Sequence, residues 1–312
     1  MKKRNLLLGV LSLALIATTA LALGSCDLSN LFHTHTGGEL QETNEGLEYT
    51  LLNNDTYEVS GIGECTDTNI IITATYNGKA VTSIGERAFN DCHSLTSVEI
   101  PDSVTSIGYM AFAYCRSLTS VEIGDSVTSI GWGAFSDCSS LQYNEYDNGY
   151  YLGNENNKYV VLVKAKDKSI TNCNIHQNTK VVYSSAFDGC TSLTSVEIPD
   201  SVTSIGEGAF ADCSSLTSVV IPDSVTSIGE GAFAYCYSLT SVVIPDSVKS
   251  IGNYAFYNCG LSSVTFENTE GWFVADSSTA TSGTDISSAD LSDTATAASY
   301  LKDSSCYWKR SE

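Results

Sequence analysis

The chain has 312 residues, enough for one or two domains, and 42% of them are hydrophobic, so it can bury a core. Only 16% are charged, with 36 acidic against 15 basic residues and a net charge of -21. This acidic excess argues against nucleic acid as a partner, because phosphates require a basic surface.

Residues 1–25 have the features of a secretory signal peptide. Three basic residues at positions 2–4 precede a long uncharged apolar run that ends in small residues. The run stops at the sequence LGSC, which ends at Cys26 and resembles a bacterial lipobox. This resemblance implies that Cys26 receives a diacylglyceryl group and anchors an exported chain to a membrane. The alternatives are a plain signal peptide with an incidental cysteine, or an uncleaved membrane anchor.

Residues 26–45 are polar, contain glycine and show no periodicity, which predicts a flexible tether. His33 and His35 lie in this segment, but a metal site needs further ligands that the segment does not offer. We therefore expect no metal site there. Residues 46–80 have strand composition and turn signals, and they are predicted to form an N-terminal cap.

An Ala-Phe pair then recurs at a fixed interval through residues 81–271. The interval is 23 residues, except for one step of 52. A period of this size is typical of a solenoid, in which each unit buries its apolar face only by stacking on its neighbours. The alanines of the repeated pair are residues 88, 111, 134, 186, 209, 232 and 255.

Within one unit, Leu95, Val98 and Ile100 follow the spacing L-x-x-L-x-L. Strand alternation places Val98 and Ile100 in the core and leaves Ser97 and Glu99 on the outer face of a parallel sheet. A proline then ends the strand, because it cannot donate the next ladder hydrogen bond. Every unit therefore has an inward and an outward side.

The unit SIGxxAFxxCxxLTSVxIPDSVT resembles the BspA-type leucine-rich repeat of many bacterial surface proteins. The resemblance implies a repeat solenoid, a right-handed leucine-rich-repeat coil that carries a parallel β-sheet on one face. The chain would be mostly β with loops, a hairpin insertion and terminal caps. It also implies adhesion to host proteins or to other cells.

Seven cysteines occupy one position of the repeat. Equivalent side chains on neighbouring units lie about 4.8 Å apart or more, whereas a disulfide needs Cβ atoms about 3.5–4.5 Å apart. We therefore expect a stack of buried free thiols, with Cys173 also directed inward, and leave Cys65 and Cys306 open. The stacked positions are Cys92, Cys115, Cys138, Cys190, Cys213, Cys236 and Cys259.

The 52-residue step contains an insertion at about residues 147–169. It predicts two strands, around Tyr150–Leu152 and Tyr159–Ala165, joined by the turn GNENN. The segment is locally basic, which has two interpretations: lysines that protect a solvated hairpin edge, or a docking patch for an acidic partner. The candidate residues of the patch are Lys158, Lys164, Lys166 and Lys168.

Residues 272–312 are predicted to form a C-terminal cap. A Ser/Thr-rich loop leads to a short helix near residues 294–301 and to a last aromatic strand. Trp272 and Trp308 are expected to seal the last unit, because terminal units must cover the exposed core.

The outward strand positions are the strongest candidate for a binding surface. The second outward residue of each strand is glutamate in the earlier units and valine in two later ones, so one half is acidic and the other apolar. The candidate residues are Ser97, Glu99, Ser120, Glu122, Ser195, Glu197, Ser218, Val220, Ser241 and Val243.

Two further columns are weaker candidates. The aspartates of the PDS and GDS turns could collect calcium, although hydrogen bonding within each turn is the simpler explanation. Tyr109, Tyr114 and Trp132 are expected on the convex side, where they would either anchor a partner or shield the column beneath.

Catalysis has little support in the sequence. Neighbouring glutamates about 5 Å apart match the carboxylate spacing of a retaining glycosidase, but that chemistry needs its two carboxylates in unlike environments. A row of equivalent exposed glutamates does not provide this. His93 and His176 do not lie in a triad-like motif. We expect neither enzymatic activity nor a cofactor.

Together these features predict a lipid-anchored, exported binding module, held to a membrane by its N-terminal lipid, that recognises extracellular proteins or glycans. The alternative is a structural envelope lipoprotein without a specific ligand. The mature chain would keep 12 basic against 36 acidic residues, an excess that argues further against nucleic acid as a partner.

Overall fold

The computed structural model describes residues 44–311. The signal peptide, the lipidation candidate Cys26, and nearly all of the tether with His33 and His35 lie outside the described residues.

The first nine strands build the N-terminal cap and the first turns of a solenoid; we call each turn a rung. The cap strands β1 and β2 pair antiparallel, and the cap also supplies one strand to each of two parallel ladders. The strands are β1 (Glu48–Leu51), β2 (Tyr57–Gly61), β3 (Asn69–Ile71), β4 (Thr75–Tyr76), β5 (Lys79–Ile84), β6 (Ser97–Ile100), β7 (Ser106–Ile107), β8 (Ser120–Ile123) and β9 (Ser129–Ile130).

Each rung contributes two strands, which confirms the predicted solenoid and adds a second ladder to it. The face ladder is β3–β6–β8, in which Val98 lies opposite Val121. The second ladder continues through β5, β7 and β9, in which Ile107 lies opposite Ile130. Strands of two residues are too short to show alternation, so the sequence did not indicate the second ladder.

The insertion forms three strands: β10 (Asn144–Tyr146), β11 (Gly149–Leu152) and β12 (Val161–Ala165). All three pair antiparallel in order, so the predicted hairpin of β11 and β12 is confirmed and is preceded by a shorter one. Asp147 turns the chain between β10 and β11 with a φ of 46°.

The next nine strands repeat the two-ladder pattern. The face strands pair in two groups, β13–β15–β17 and β19–β21, and the second ladder runs β12–β14–β16–β18–β20. The strands are β13 (Asn172–Asn174), β14 (Val181–Val182), β15 (Ser195–Glu197), β16 (Ser204–Ile205), β17 (Ser218–Val219), β18 (Ser227–Ile228), β19 (Ser241–Ile244), β20 (Ser250–Ile251) and β21 (Ser263–Phe266).

Stacked phenylalanine rings fill the centre of the solenoid in two columns. The rings of Phe89 and Phe112 lie 5.0 Å apart and nearly parallel, and both side chains are fully buried. The second column begins at Phe187 and continues with the same geometry through Phe256. We refer to residues 44–143 as the N-terminal block and to residues 159–311 as the C-terminal block.

The two blocks meet at a junction made by β12 and β14. Val161, Val181 and Tyr183 pack into the core of the N-terminal block, whereas Leu162 packs into the core of the C-terminal block. The hydroxyl of Tyr183 accepts a hydrogen bond from the backbone N–H of Phe135 at 3.3 Å. Phe135 is the third ring of the first column, and the ring of Tyr183 lies 6.2 Å from it. Tyr183 therefore ends this column, and its burial raises the pKa of its phenol.

This junction corrects one interpretation of the lysine-rich insertion. Strand β12 pairs antiparallel with β11 on one side and parallel with β14 on the other, and Val161–Val163 are buried. The strand is interior to its sheet. The lysines therefore do not protect a solvated edge at β12.

The C-terminal cap consists of β22 (Trp272–Ala275), β23 (Thr284–Asp285), α1 (Ser288–Ser292), α2 (Thr294–Asp303) and β24 (Tyr307–Arg310). The predicted helix and last strand are confirmed, and β24 joins the second ladder beside β20. Trp272 and Trp308 are buried against Phe266, as expected for residues that seal the last rung. Neither helix within residues 44–311 is long and apolar enough to cross a bilayer.

The repeat cysteines are unpaired thiols and are buried, except that Cys92 at the start of the column is partly exposed. In five of the seven the thiol points at a phenylalanine carbonyl 26 residues earlier, as in Cys213, whose sulfur lies 3.2 Å from the carbonyl oxygen of Phe187. Burial raises the pKa of Cys213 to about 12. The thiol is therefore protonated at neutral pH and can donate this hydrogen bond. Cys173 is buried as predicted.

Candidate binding surfaces

The predicted binding residues lie on the outer side of the face strands, at least partly open to solvent. Glu99 lies directly opposite Glu122, and Ser195 directly opposite Ser218. Glu197 lies opposite Asn174 in a different sheet. The structure therefore separates Glu197 from the glutamates of the N-terminal block, with which the sequence had grouped it.

Glu99 and Glu122 line a groove of about 520 Å³ along the turns that follow the face strands; we call it the acidic groove. It contains five carboxylates and two asparagines. Its polar side chains are Glu99, Asp102, Glu122, Asp125, Asn154, Glu155 and Asn156.

The insertion closes one end of the acidic groove. The side-chain amide of Asn154 donates to the carbonyl of Ile123 at 2.7 Å and to the carboxylate of Asp125 at 3.0 Å. The backbone N–H of Asp125 in turn donates to Oδ1 of Asp102 at 2.8 Å. These contacts of Asp102 and Asp125 join neighbouring rungs and the insertion, whereas the sequence suggested hydrogen bonds within each turn. Within residues 44–311, no cluster of three His, Cys, Asp or Glu side chains is placed to hold a metal ion.

A second groove, of about 700 Å³, occupies the equivalent place in the C-terminal block; we call it the apolar groove. Val220 and Val243 stand where the first block has glutamates, and they are 75% and 47% exposed. Asp223, Asp200 and Glu267 line the same groove. The change from glutamate to valine therefore changes the chemistry of the face from one block to the other.

Three of the four insertion lysines already have partners within the chain. Lys166 pairs with Glu145 at 2.8 Å, and Lys168 lies 3.5 Å from the carboxylate of Asp188. The ammonium of Lys164 lies 4.7 Å above the ring centre of Tyr143. Lys158 is exposed. A docking role for this patch would have to compete with these contacts.

Both described histidines make structural contacts. His93 is exposed, and its Nδ1 lies 3.0 Å from the carbonyl oxygen of Tyr114. His176 stacks on Tyr159 with ring centres 4.0 Å apart, and partial burial lowers its pKa. Neither contact places a histidine beside a nucleophile in the way a catalytic base requires.

Two of the three convex aromatics form a stack. The rings of Tyr109 and Trp132 lie 5.8 Å apart at 20°, and the guanidinium of Arg87 lies 5.1 Å above Tyr109. Tyr114 is half-buried and is not part of this stack. Trp132 also borders the junction between the blocks, a position that the sequence did not reveal.

The repeats match a known family model, the BspA type leucine-rich repeat region, in six copies over residues 64–156 and 165–272. The chain belongs to this family. The two matched segments flank the end of the insertion, so the family pattern covers both blocks. No protein with a curated description matches the chain.

Several solved structures of leucine-rich-repeat proteins are similar to it. A leucine-rich-repeat protein of T. pallidum is 26% identical, with 70% of this chain and 89% of that chain covered and a TM-score of 0.39. One from Bacteroides ovatus is also 26% identical, with 72% and 70% covered and a TM-score of 0.36. A leucine-rich cell surface protein of Faecalibacterium prausnitzii is 21% identical, with 76% and 97% covered and a TM-score of 0.35.

Proposed function

We propose that this BspA-type chain is an exported, lipid-anchored, adhesin-like protein that binds a protein or glycan outside the cell through its face strands. The observation that supports this most directly is the pair of open grooves in equivalent places on the two blocks, one acidic and one apolar. A partner with a basic segment next to an apolar one matches both. The repeat scaffold supplies a rigid surface suited to a large partner.

The energies involved favour many weak contacts over one strong one. An exposed ion pair contributes about 0.2–1 kcal/mol, and burying a valine contributes about 1.5 kcal/mol or more. Val220 and Val243 are already partly covered by their neighbours and would contribute less. A tight complex therefore requires the acidic groove and the apolar groove to be occupied together.

Charge reversal in the acidic groove tests this proposal. Ligands are first selected by probing protein and glycan arrays with residues 27–312. We expect Glu99→Lys with Glu122→Lys to weaken binding of a cationic ligand by about tenfold or more, because like charges would then meet in one groove. Calorimetric titration measures the change.

Glu64→Lys with Glu270→Lys is the matched control, since it reverses the charge of two exposed glutamates that line neither groove and is expected to leave affinity within about twofold. Val220→Asp tests the apolar groove in the same way. Thermal melting followed by circular dichroism checks that each variant is folded. If every selected ligand binds these variants like the parent chain, the face strands are not the binding surface.

Anchoring depends on Cys26. In bacteria fed labelled palmitate, we expect the full chain to incorporate label and to partition into detergent, because acyl chains supply apolar area for membrane binding. Cys26→Ala is expected to abolish both, whereas Cys306→Ala, which removes a partly exposed cysteine of the C-terminal cap, keeps both. Label that persists in Cys26→Ala would show that the lipid is carried elsewhere.

A further inference from the structure

A cavity of about 500 Å³ lies where the N-terminal block meets the C-terminal block; we call it the junction groove. It is distinct from both grooves of the face strands and lies within the size range of ligand pockets in proteins. Trp132 comes from the N-terminal block, and the other side chains come from the C-terminal block. The side chains that matter here are Trp132, Glu207, Glu230, Tyr235, Tyr254 and Tyr257.

The two glutamates occupy equivalent positions on consecutive rungs. The backbone N–H of Gly208 donates to the carbonyl of Glu230 at 2.8 Å, which fixes the two rungs side by side. The hydroxyl of Tyr307 donates to Oε2 of Glu230 at 2.8 Å, and this contact raises the pKa of Tyr307 to about 12. Glu230 is therefore held in place.

Neither carboxylate forms an ion pair within residues 44–311, although Lys309 lines an adjoining pocket together with both glutamates. Partial burial raises the pKa of Glu207, and the neighbouring charge of Glu230 raises it further. These two like charges share the groove with the carboxylate of Asp212, an arrangement that a bound cation would stabilise.

The aromatic side of the groove is also suited to a cation. Trp132 is 38% exposed, and Tyr109 stacks on it from the adjacent rung. The far side of Tyr109 already holds the guanidinium of Arg87 at 5.1 Å. The same aromatic stack therefore packs against one arginine of this chain and presents its indole to the junction groove.

We propose that the junction groove binds the guanidinium of an arginine side chain on a partner polypeptide. A guanidinium is planar, so it stacks on an indole face and at the same time donates in parallel to carboxylates. A lysine ammonium is a compact, strongly hydrated charge and does only the second of these well. The arginines within residues 44–311 are Arg87, Arg116 and Arg310, and none of them lines the groove.

Three short peptides test the proposal: acetyl-Gly-Arg-Gly-amide, the same peptide with citrulline, and the same peptide with lysine. They are titrated calorimetrically into residues 27–312. Citrulline keeps the shape of arginine but carries no charge. We expect the citrulline peptide to bind about tenfold more weakly than the arginine peptide, since hydrogen bonds to charged groups are the stronger ones. The lysine peptide is expected to bind about threefold more weakly.

Variants locate the binding site. Glu207→Gln with Glu230→Gln is expected to weaken the arginine peptide by about tenfold, and Trp132→Ala by about threefold. Glu64→Gln with Glu270→Gln makes the same change at two exposed glutamates outside all three grooves and is the matched control, with no effect expected. Glu99→Gln with Glu122→Gln reports separately on binding at the acidic groove. Thermal melting confirms that each variant is folded.

Several results would overturn the proposal. Equal binding of the citrulline peptide would exclude recognition of charge, and a lysine peptide as tight as arginine would exclude selection of a guanidinium. Full affinity in the Glu207→Gln, Glu230→Gln variant would exclude the junction groove. If affinity is lost only in the acidic-groove variant, the cation binds the face strands, which refutes this inference and leaves the proposed function standing.

Discussion

Replacing Phe210 with alanine is expected to lower the free energy of unfolding by about 3–5 kcal/mol, the range for removing a buried phenylalanine from a core. The side chain is fully buried, with ring centres 5.0 Å from Phe187 and 5.1 Å from Phe233. Alanine would leave a cavity and break two stacked contacts, each contributing about 0.5–1.5 kcal/mol beyond burial. Urea unfolding followed by circular dichroism measures the change.

Val220→Ala is the control, because this side chain is 75% exposed and its truncation is expected to change stability by no more than about 0.5 kcal/mol. A Phe210→Ala variant that unfolds at the same urea concentration as Val220→Ala would contradict the stacked column. The comparison tests the core of the C-terminal block without relying on any ligand.

Gly229→Ala is expected to destabilise the chain by about 3 kcal/mol, near the upper end of the usual overpacking range. A Cβ at Gly229 would lie 2.5 Å from the backbone nitrogen of Glu207 and 2.6 Å from the carbonyl carbon of Gly206. Both atoms belong to the backbone of the preceding rung, so no side-chain rotation can relieve the clash. Thermal melting and urea unfolding both report the loss.

Gly231→Ala is the matched control, two residues away on the same rung. Its φ is +57°, but its Cβ would meet only the Cβ of Ala234, at 3.9 Å. Arg87 and Tyr254 occupy equivalent positions with φ values of 55° and 56°, so this backbone conformation accepts side chains. The expected cost is about 1 kcal/mol, from left-handed strain alone. Equal losses for the two variants would show that close rung contact is not what requires Gly229.

The repeated part of the fold could be predicted from the sequence because each column consists of residues at one position of the repeat, where the same residue type recurs. The 23-residue period, the L-x-x-L-x-L spacing and the Ala-Phe pair indicated stacked rungs, inward valines and buried rings. The outward position of Glu99 and Val220 follows from strand alternation in the same way. Stacking within each block depends on local repetition, which is what the sequence displays.

The junction could not be predicted by the same reasoning, because it joins residues that break the repeat. The run Val160–Val163 has no alternation and is buried on both sides, which is typical of an interior strand. That signal was present in the sequence, but it does not identify what covers the second side. The residue that covers the second side is Tyr183. Its hydrogen bond with Phe135 joins residues 48 positions apart in the sequence.

The junction groove was missed for the same reason. Aligning the repeats places Trp132, Glu207 and Glu230 at equivalent positions. In a straight solenoid Trp132 would lie too far from Glu230 to line the same cavity, yet the structure brings all three to one groove. Their proximity depends on where the first block ends against the second. The acidic groove was anticipated in part, since Glu99 and Glu122 were identified, whereas Glu155 enters only through the insertion.

Because of the junction, the number of rungs in the C-terminal block can change without a change in the composition of either groove on the face strands. Since Val161, Val181 and Tyr183 seal the N-terminal block, adding or deleting one whole 23-residue unit between residues 186 and 209 leaves that seal in place. Such a change would move Val220 and Val243 along the solenoid axis by one strand spacing, about 4.8 Å. Duplication within the gene can thus set the distance between the acidic groove and the apolar groove in fixed increments, while each groove keeps its own composition.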